Sequence, residues 1–289
     1  LLDLYPQVLD LCTGSGVQAI AALASYARNA VLVDMNPRAV RFSRFNLFFN
    51  GMETRARVLL GDLYKVVDKY FSSESPGLWW DNRAERFVDL DHVPVPPSNH
   101  LTKIDGEEHE GGGTKLGGRG TSDQVNDTHN DTQEVKVAAA SPKQFDVILG
   151  NPPYLPYPQD DGDPDSAAHV RFGDGGDSGE LIFEQIVQGA RAHLKPHTGR
   201  LHIVANLMNP REFEIKARRW FYGIGDAAEA EEVPASFHLI HGNLWTDAYY
   251  ASMIPTSEAE QRREYLHHLQ RQGIREAAAG FLFIYLKPP

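Results

Sequence analysis

The sequence predicts an α/β fold, a doubly wound and mostly parallel sheet with helices on both faces. Three short apolar segments, residues 8–11, 30–34 and 57–60, are separated by helical patterns over 17–28 and 36–50. Parallel strands need a crossover connection, usually a helix, so this alternation is typical of consecutive βαβ units. The alternation resumes in the second half of the chain, and we therefore expect one sheet built from both halves.

Local signals support the individual elements. Pro37 stands at the first position of the second predicted helix, and Asn50-Gly51 ends it. In the second half the predicted strands are 145–149, 200–204, "FHLIHGNLW" and "AGFLFIYLK", and the predicted helices are 178–194 and 211–221. Ser257 and Glu260 have the spacing of a capping box, which predicts a further helix between the last two strands.

We interpret residues 1–289 as a single domain with an insertion over 72–143 and a helical excursion over 241–279 before the last strand. Residues 98–136 are polar and glycine-rich and contain no aromatic residue. Because they cannot bury enough apolar surface to offset their ordering entropy, they are expected to be disordered. The apolar residues just before them are expected to pack on the domain or to cover a cleft. These residues are Trp79, Trp80, Phe87 and Val88.

Composition limits the possible classes of protein. The formal net charge of −11 opposes binding to a phosphate backbone. The single cysteine, Cys12, allows no intrachain disulfide, so a reducing compartment is expected and the cytoplasm is predicted. No apolar run has the length of a membrane span, no signal peptide is visible, and a monomer is expected. The chain begins with Leu, so we interpret it as a fragment that could lack an N-terminal substrate-recognition region.

A glycine-rich turn follows the first strand. In "LDLCTGSGVQA", Gly14, Gly16 and Ala19 have the G-x-G-x-x-A spacing of a dinucleotide-type turn. Asp34 ends the next strand, where a carboxylate can accept hydrogen bonds from both hydroxyls of a ribose. The spacing alone has a second interpretation, which is close packing of a helix on a strand.

Two further acids decide between cofactors. Asp10 ends the first strand, where it would repel the pyrophosphate of NAD but suit the cationic groups of S-adenosylmethionine, by direct or water-mediated contact. Asp62 ends the third strand and can accept the adenine amino group, with Leu63 packing on the ring. Open α/β sheets bind ligands at the carboxyl ends of their strands. The acids therefore favour S-adenosylmethionine over NAD.

These segments, followed by "GDLY" and "FDVILGNPPY", resemble class I S-adenosylmethionine-dependent methyltransferases. More narrowly, they resemble the release-factor glutamine N5-methyltransferases and the related small methyltransferase domains of RNA-modifying enzymes, over about residues 5–65 and 144–206. The resemblance implies a Rossmann-like, mostly parallel seven-stranded sheet with an antiparallel last strand, and S-adenosylmethionine as the cofactor. The implied cofactor-binding residues are Asp10, Cys12, Thr13, Gly14, Ser15, Gly16, Asp34, Met35, Asp62, Leu63 and Asn151.

The Asn-Pro-Pro-Tyr motif at residues 151–154 is specific, in these families, for methylation of a nitrogen in a planar amide or amine. The side-chain oxygen of Asn151 and the carbonyl of Pro152 can each accept one N–H of a substrate –NH₂, which aims the nitrogen at the methyl donor. Both acceptors favour the positive charge that develops on the nitrogen, and Tyr154 would stack on the planar group. Asn151, Pro152 and Tyr154 are therefore the predicted catalytic residues. The alternative is a strand-ending turn without function.

Other reactive residues are assigned no catalytic role. The twelve histidines show no metal-ligand spacing, so no metal site is predicted. Cys12 has no supporting Cys/His arrangement and is interpreted as a packing residue of the cofactor turn.

The sequence leaves the substrate open. Gly175, Gly176 and Gly179 match a Gly-Gly-x-x-Gly stretch of the glutamine enzymes, whereas "IVANLMNP" resembles the RNA-guanine enzymes. The acidic run 160–165 is a poor entrance for a phosphodiester. The first expectation is a protein amide, a glutamine in a loop such as that of a release factor. An RNA base amino group, adenine N6 or guanine N2, is the second, and a catalytically silent binding module of the same fold is the third.

Overall fold

The computed structural model describes residues 6–72, 143–158, 173–223, 234–254 and 256–288, and the backbone of 78–81 and 86–89. The chain divides into one unit made of Leu1–His92 and Ser141–Pro289 and a second unit, Val93–Ala140. The second unit, the predicted disordered segment 98–136 and the acidic run 160–165 lie outside the described residues. So do the side chains of Trp79, Trp80, Phe87 and Val88.

The described residues form ten strands and seven α-helices. The strands are β1 (Gln7–Leu11), β2 (Asn29–Asp34), β3 (Ala56–Leu60), β4 (Leu78–Asp81), β5 (Arg86–Asp89), β6 (Val147–Gly150), β7 (Arg200–Met208), β8 (Ala235–His241), β9 (Trp245–Thr246) and β10 (Glu276–Leu286). The helices are α1 (Val17–Ser25), α2 (Pro37–Phe49), α3 (Leu63–Phe71), α4 (Leu181–His193), α5 (Pro210–Tyr222), α6 (Asp247–Ser252) and α7 (Ala259–Arg271).

Seven strands form one sheet in the order β3-β2-β1-β6-β7-β10-β8, and the two-residue strand β9 pairs with β10. The pairs from β3 to β7 are all parallel. Strand β10 is antiparallel to both of its long neighbours, β7 and β8. The predicted seven-stranded, mostly parallel sheet with an antiparallel last strand is therefore confirmed. Strands β4 and β5 form a separate antiparallel pair.

The register aligns the carboxyl ends of the central strands. Leu11 is opposite Val33 of β2 and opposite Gly150 of β6, and Asp34 is opposite Leu60 of β3. The segments that follow these strands therefore leave the sheet side by side at one edge. This edge is where open α/β sheets bind their ligands.

Buried side chains cover both faces of the sheet, because successive residues of a strand point to opposite faces. Leu9 and Leu11 of β1 belong to a core shared with α3, α4 and α5. Val8 belongs to a second core, shared with α1 and α2. A smaller third core lies around Tyr265 and Leu269, where α6 and α7 pack near the end of β7.

Two local features differ from the sequence analysis. Helix α3 was not predicted; its Tyr64 and Val67 are buried in the larger core, and the Tyr64 hydroxyl donates to the carbonyl of Ile186 at 2.8 Å. The predicted capping box is wrong, because Glu258 is the residue before α7 and it makes no side-chain cap. The hydroxyl of Thr256 instead accepts the N–H of Glu258 at 3.1 Å.

Candidate functional site

The glycine turn between β1 and α1 is a tight turn of the backbone. The N–H of Gly16 donates to the carbonyl of Thr13 at 2.9 Å, and the N–H of Thr13 donates to Val33 of β2 at 3.0 Å. Gly14 and Gly16 have positive φ angles of 55° and 82°, which glycine adopts without steric cost. Close packing is also real here, because a Cβ on Gly16 would lie 3.2 Å from the Cβ of Ser43. The close-packing interpretation of the glycine spacing therefore holds at Gly16, and the cofactor-binding interpretation stays a prediction.

Asp10 lies beneath the turn and is fully buried. Its Oδ2 accepts hydrogen bonds from the Thr13 hydroxyl at 2.6 Å and from the Ala19 N–H at 3.1 Å. Burial raises the pKa of its carboxyl to about 7, although the bonds from Thr13 and Ala19 oppose the shift. The oxygens of Asp10 are thus directed into the turn and α1, and we assign its direct influence to the turn's conformation.

Asp34 joins the glycine turn after β1 to the loop between β2 and α2. Its Oδ2 accepts the N–H of Gly14 at 2.8 Å, and its Oδ1 accepts the N–H of Asn36 at 2.9 Å. A carboxylate has about four acceptor positions, so about two remain for a ligand. Asp34 is half-buried, and these positions suit the two hydroxyls of a ribose.

Three predicted acids surround Cys12. Burial, followed by the charges of Asp34, Asp10 and Asp62, raises the pKa of the Cys12 thiol. A thiol whose pKa is raised is a poor nucleophile, because the thiolate is the reactive form. The same arrangement produces a negative potential at the carboxyl edge of the sheet, which favours a cationic ligand.

The loop after β3 leads directly into helix α3, which the sequence analysis did not predict. Asp62 is exposed and its carboxylate pairs with Lys65 at 2.6 Å, whereas Leu63 is buried with a positive φ of 39°. Cys12 also has a positive φ, of 56°. Such backbone conformations are costly outside glycine and concentrate at functional sites. Met35, between β2 and α2, is 73% exposed.

The motif loop 151–158 is held by the glycine stretch 173–180. The N–H of Leu155 donates to the carbonyl of Gly173 at 2.8 Å, and the N–H of Gly175 donates back to Leu155 at 2.9 Å. A Cβ on Gly179 would lie 2.6 Å from the carbonyl oxygen of Tyr154. The glycines that matched the Gly-Gly-x-x-Gly pattern therefore let the two loops approach closely. Asn151 is exposed and Pro152 is buried.

A pocket of about 390 Å³ opens beside the motif. One wall is the motif itself, another is Asn206 of β7, and the third comes from β9, α6 and α7. The lining residues are 151–155, Gly173, Asn206, Trp245, Tyr250, Met253, Ile254 and Tyr265. The pocket is of the size of small-ligand sites, which are largely apolar with a few polar groups.

Sequence reasoning missed several supporting residues. The side chain of Asn46 on α2 donates to the carbonyl of Ser15 at 2.8 Å and holds the glycine turn. The ring of His268 is buried and bonds to the carbonyl of Asp177 at 2.8 Å, which ties α7 to the glycine stretch. These contacts join residues far apart in the chain, so no local pattern predicts them. Trp245 and Tyr250, two aromatic residues close together in the sequence, are the one local signal for this part of the pocket.

Two kinds of feature are absent from the described residues. Among them, no group of three His, Cys, Asp or Glu side chains is close enough to hold a metal ion. None of the described helices combines the length and the apolar character needed to cross a membrane.

The strand order, with β10 antiparallel between β7 and β8, is that of the class I S-adenosylmethionine-dependent methyltransferase fold. Residues 3–71 match the family model of ribosomal protein L11 methyltransferase (PrmA). The ribosomal protein L11 methyltransferase of Haemophilus influenzae (strain PittEE) is 44% identical over 62 residues, 21% of this chain and 21% of that protein. That of Pelobacter propionicus is 49% identical over 49 residues, 17% of this chain and 16% of that protein. S-adenosylmethionine is the cofactor that these matches imply.

The matches cover only part of the molecules compared. The chain spans about a fifth of the length of these curated relatives, and the matched segment 3–71 ends before the motif at 151–154. None of these matches is named a glutamine N5-methyltransferase, so that narrower resemblance stays a prediction.

A solved methyltransferase from Pyrococcus furiosus has a TM-score of 0.43 and 12% identity, covering 100% of this chain and 78% of that one. A ribosomal protein L11 methylase from Lactobacillus delbrueckii subsp. bulgaricus has a TM-score of 0.39 and 12% identity, covering 98% and 71%. Because these TM-scores are low, the description of the fold depends on the strand order alone.

Proposed function

We propose that the protein is an S-adenosylmethionine-dependent N-methyltransferase that acts on a planar amide nitrogen, a glutamine side chain of a protein. The observation that carries this proposal is the pairing of β1 with β6. Their last paired residues are Leu11 and Gly150, so the glycine turn and Asn151 leave the sheet side by side. A cofactor site and an amide-holding motif are thereby adjacent.

The residues at the edge fit the cofactor. The open positions of Asp34 suit the ribose, and the exposed Asp62 can exchange Lys65 for the adenine amino group. The turn from Cys12 to Gly16 offers backbone without bulky side chains. Asp10 contributes by holding this turn. When bound, S-adenosylmethionine supplies an electrophilic methyl group on a sulfonium.

The motif supplies orientation for the transfer. The Asn151 side-chain oxygen and the Pro152 carbonyl accept the two N–H groups of the substrate, and Tyr154 packs on its plane. The lone pair of the nitrogen would form the new N–C bond while the bond between the methyl carbon and the sulfur breaks. The electron pair of that broken bond would stay on the sulfur. The nitrogen then releases one proton to solvent. Holding reactants in line is the main contribution available to such a site.

Three observations favour a protein substrate over RNA. The chain carries a net charge of −11, and the described residues that line the pocket include no lysine or arginine. The relatives matched over the first strands are named for methylation of a ribosomal protein. The named relatives and the single cysteine also support a cytoplasmic location, which is part of this proposal.

Calorimetry and a transfer assay test the function. We expect S-adenosylhomocysteine to bind and NAD not to bind, and labelled methyl groups to appear in the protein fraction of an extract. Asn151→Ala should lower turnover at least about a hundredfold and should lower S-adenosylhomocysteine affinity far less. Asn29→Ala is the control, since the exposed Asn29 is the first residue of β2 and lies at the opposite edge of the sheet. Tight NAD binding without S-adenosylhomocysteine binding would refute the proposal.

A further inference from the structure

The pocket beside the motif contains an unusual hydroxyl. Tyr265 of α7 is only 6% exposed, and its hydroxyl oxygen has no hydrogen-bond partner among the described residues. Buried polar groups are nearly always paired, because leaving one unpaired is destabilising. Tyr265 is one of the residues that line the pocket, so a ligand in the pocket is the candidate for the missing partner of its hydroxyl.

Two other phenols, those of Tyr250 and Tyr157, lie near this hydroxyl. The Tyr250 oxygen accepts the side-chain N–H of Asn206 at 3.1 Å, which leaves the Tyr250 hydrogen free to donate. Burial raises the pKa of Tyr250 to about 12, and it also raises the pKa of Tyr265. Both phenols therefore stay protonated at neutral pH and act as donors. A pocket wall with two O–H donors and no described charged side chain suits a neutral acceptor atom.

The motif residues of the pocket lining supply acceptors. The Asn151 side chain and the Pro152 carbonyl belong to the motif that is proposed to accept the two N–H groups of the substrate. A primary amide presents N–H donors and a carbonyl acceptor on one small plane. The remaining lining, Leu155, Met253 and Ile254, is apolar. The volume of about 390 Å³ exceeds what one amide side chain needs and leaves room for an apolar neighbour.

We propose that this pocket is the acceptor subsite for a protein segment in which glutamine stands beside an apolar residue, and that Tyr265 binds the glutamine by donating a hydrogen bond to its amide oxygen. This inference rests on the proposed function and adds a specificity residue from α7, outside the matched segment 3–71. The hydroxyl recognises the carbonyl, so a side chain without a carbonyl gains nothing from it.

The test uses capped peptides bound to the protein saturated with S-adenosylhomocysteine, measured by calorimetry. One peptide contains leucine followed by glutamine, and the other has a second leucine in place of the glutamine. Tyr265→Phe removes only the hydroxyl, so the melting temperature and the S-adenosylhomocysteine affinity should not fall. The variant should bind the glutamine peptide about 3- to 10-fold more weakly and the leucine peptide equally well. Tyr249→Phe, on the 56% exposed neighbour in α6, is the matched control and should change neither.

A second variant keeps the test independent of Tyr265. Met253→Lys places a charge at the partly exposed rim of the pocket and should abolish binding of the glutamine peptide while the protein remains folded. Equal binding of the glutamine peptide by Tyr265→Phe and the native chain would overturn the inference. So would the absence of peptide binding at millimolar concentration, or binding of adenosine or guanosine monophosphate that depends on Tyr265 instead. A native chain that fails to bind S-adenosylhomocysteine would refute the proposed function, and this is measured before any peptide is added.

Discussion

The carboxylate of Asp34 accepts the main-chain N–H of Gly14 at 2.8 Å, which ties the end of β2 to the glycine turn after β1. Its other oxygen holds the N–H of Asn36 at the start of α2. One side chain thus sets the conformation of two loops and still offers acceptor positions to a ribose. Because of this double role, loss of Asp34 should affect cofactor binding and local stability together.

Asp34→Ala should lower S-adenosylhomocysteine affinity at least about a hundredfold, since each hydrogen bond to a charged acceptor contributes about 1.5–3 kcal/mol. The melting temperature should also fall, because two loop N–H groups lose their acceptor. Calorimetry and thermal unfolding measure both effects. Glu53→Ala, which removes the same charge outside the site, should leave affinity unchanged. Native-like affinity of the Asp34 variant would show that the ribose binds elsewhere.

Asp10 should make stability depend on pH. Its folded pKa of about 7 lies above the ordinary value of 3.8, so between these values the folded state holds a proton that the unfolded chain has released. The free energy of unfolding should therefore fall as the pH rises from about 4 to about 7. Asp10→Asn is neutral throughout and should match the native chain near pH 4 but be more stable at pH 8. Urea unfolding across this range measures the difference.

The control for Asp10 is Asp62→Asn, which removes an exposed carboxylate paired with Lys65 at the same sheet edge. The difference in free energy of unfolding between Asp62→Asn and the native chain should not grow between pH 4 and pH 8, whereas the difference for Asp10→Asn should. If Asp10→Asn showed the same profile as the native chain, the buried carboxyl would not be the group that titrates.

These residues show what sequence reasoning can reach. The positions of Asp10, Asp34 and Asp62 at or near the ends of strands could be predicted, because apolar runs followed by turn residues are local signals. The direction of the Asp10 side chain could not, because helices cover both faces of the sheet and either face was open to it. The Tyr265 pocket was also out of reach, since it is built by contacts between α7, β7 and the motif loop, far apart in the chain.

Gly16→Ala should destabilise the protein more than Gly14→Ala. Both positions have positive φ, which costs about 1–2 kcal/mol for a residue with a Cβ. A Cβ at Gly16 would also lie 3.2 Å from Ser43 and 3.3 Å from Leu32, whereas Gly14 has open space. Urea unfolding measures the two losses, and adding Ser43→Gly should recover part of the loss at Gly16 only. Equal losses would mean that φ alone decides, and that α2 does not press on the turn.

The last prediction separates a protein substrate from RNA by salt. An RNA acceptor brings many phosphates, and about six phosphate contacts would give a slope of about −4 for log kcat/KM against log salt concentration. A glutamine-bearing protein loop should give a much shallower slope, set by a few screened charges. We expect the shallow slope in transfer assays with the protein fraction, with Asn151→Ala as the inactive baseline.

Replacing Asp160, Asp161, Asp163 and Asp165 by asparagine sharpens this comparison. The change removes negative charge just after the motif loop, so it should improve an RNA substrate, whose phosphates the acids repel, and weaken a basic protein loop, which they attract. We expect weakening, measured as a lower kcat/KM at low salt that converges with the native value as salt is added. A steep native slope together with improved activity of the neutralised variant would instead assign the acceptor to RNA, because only a polyanion gains from the loss of these acids.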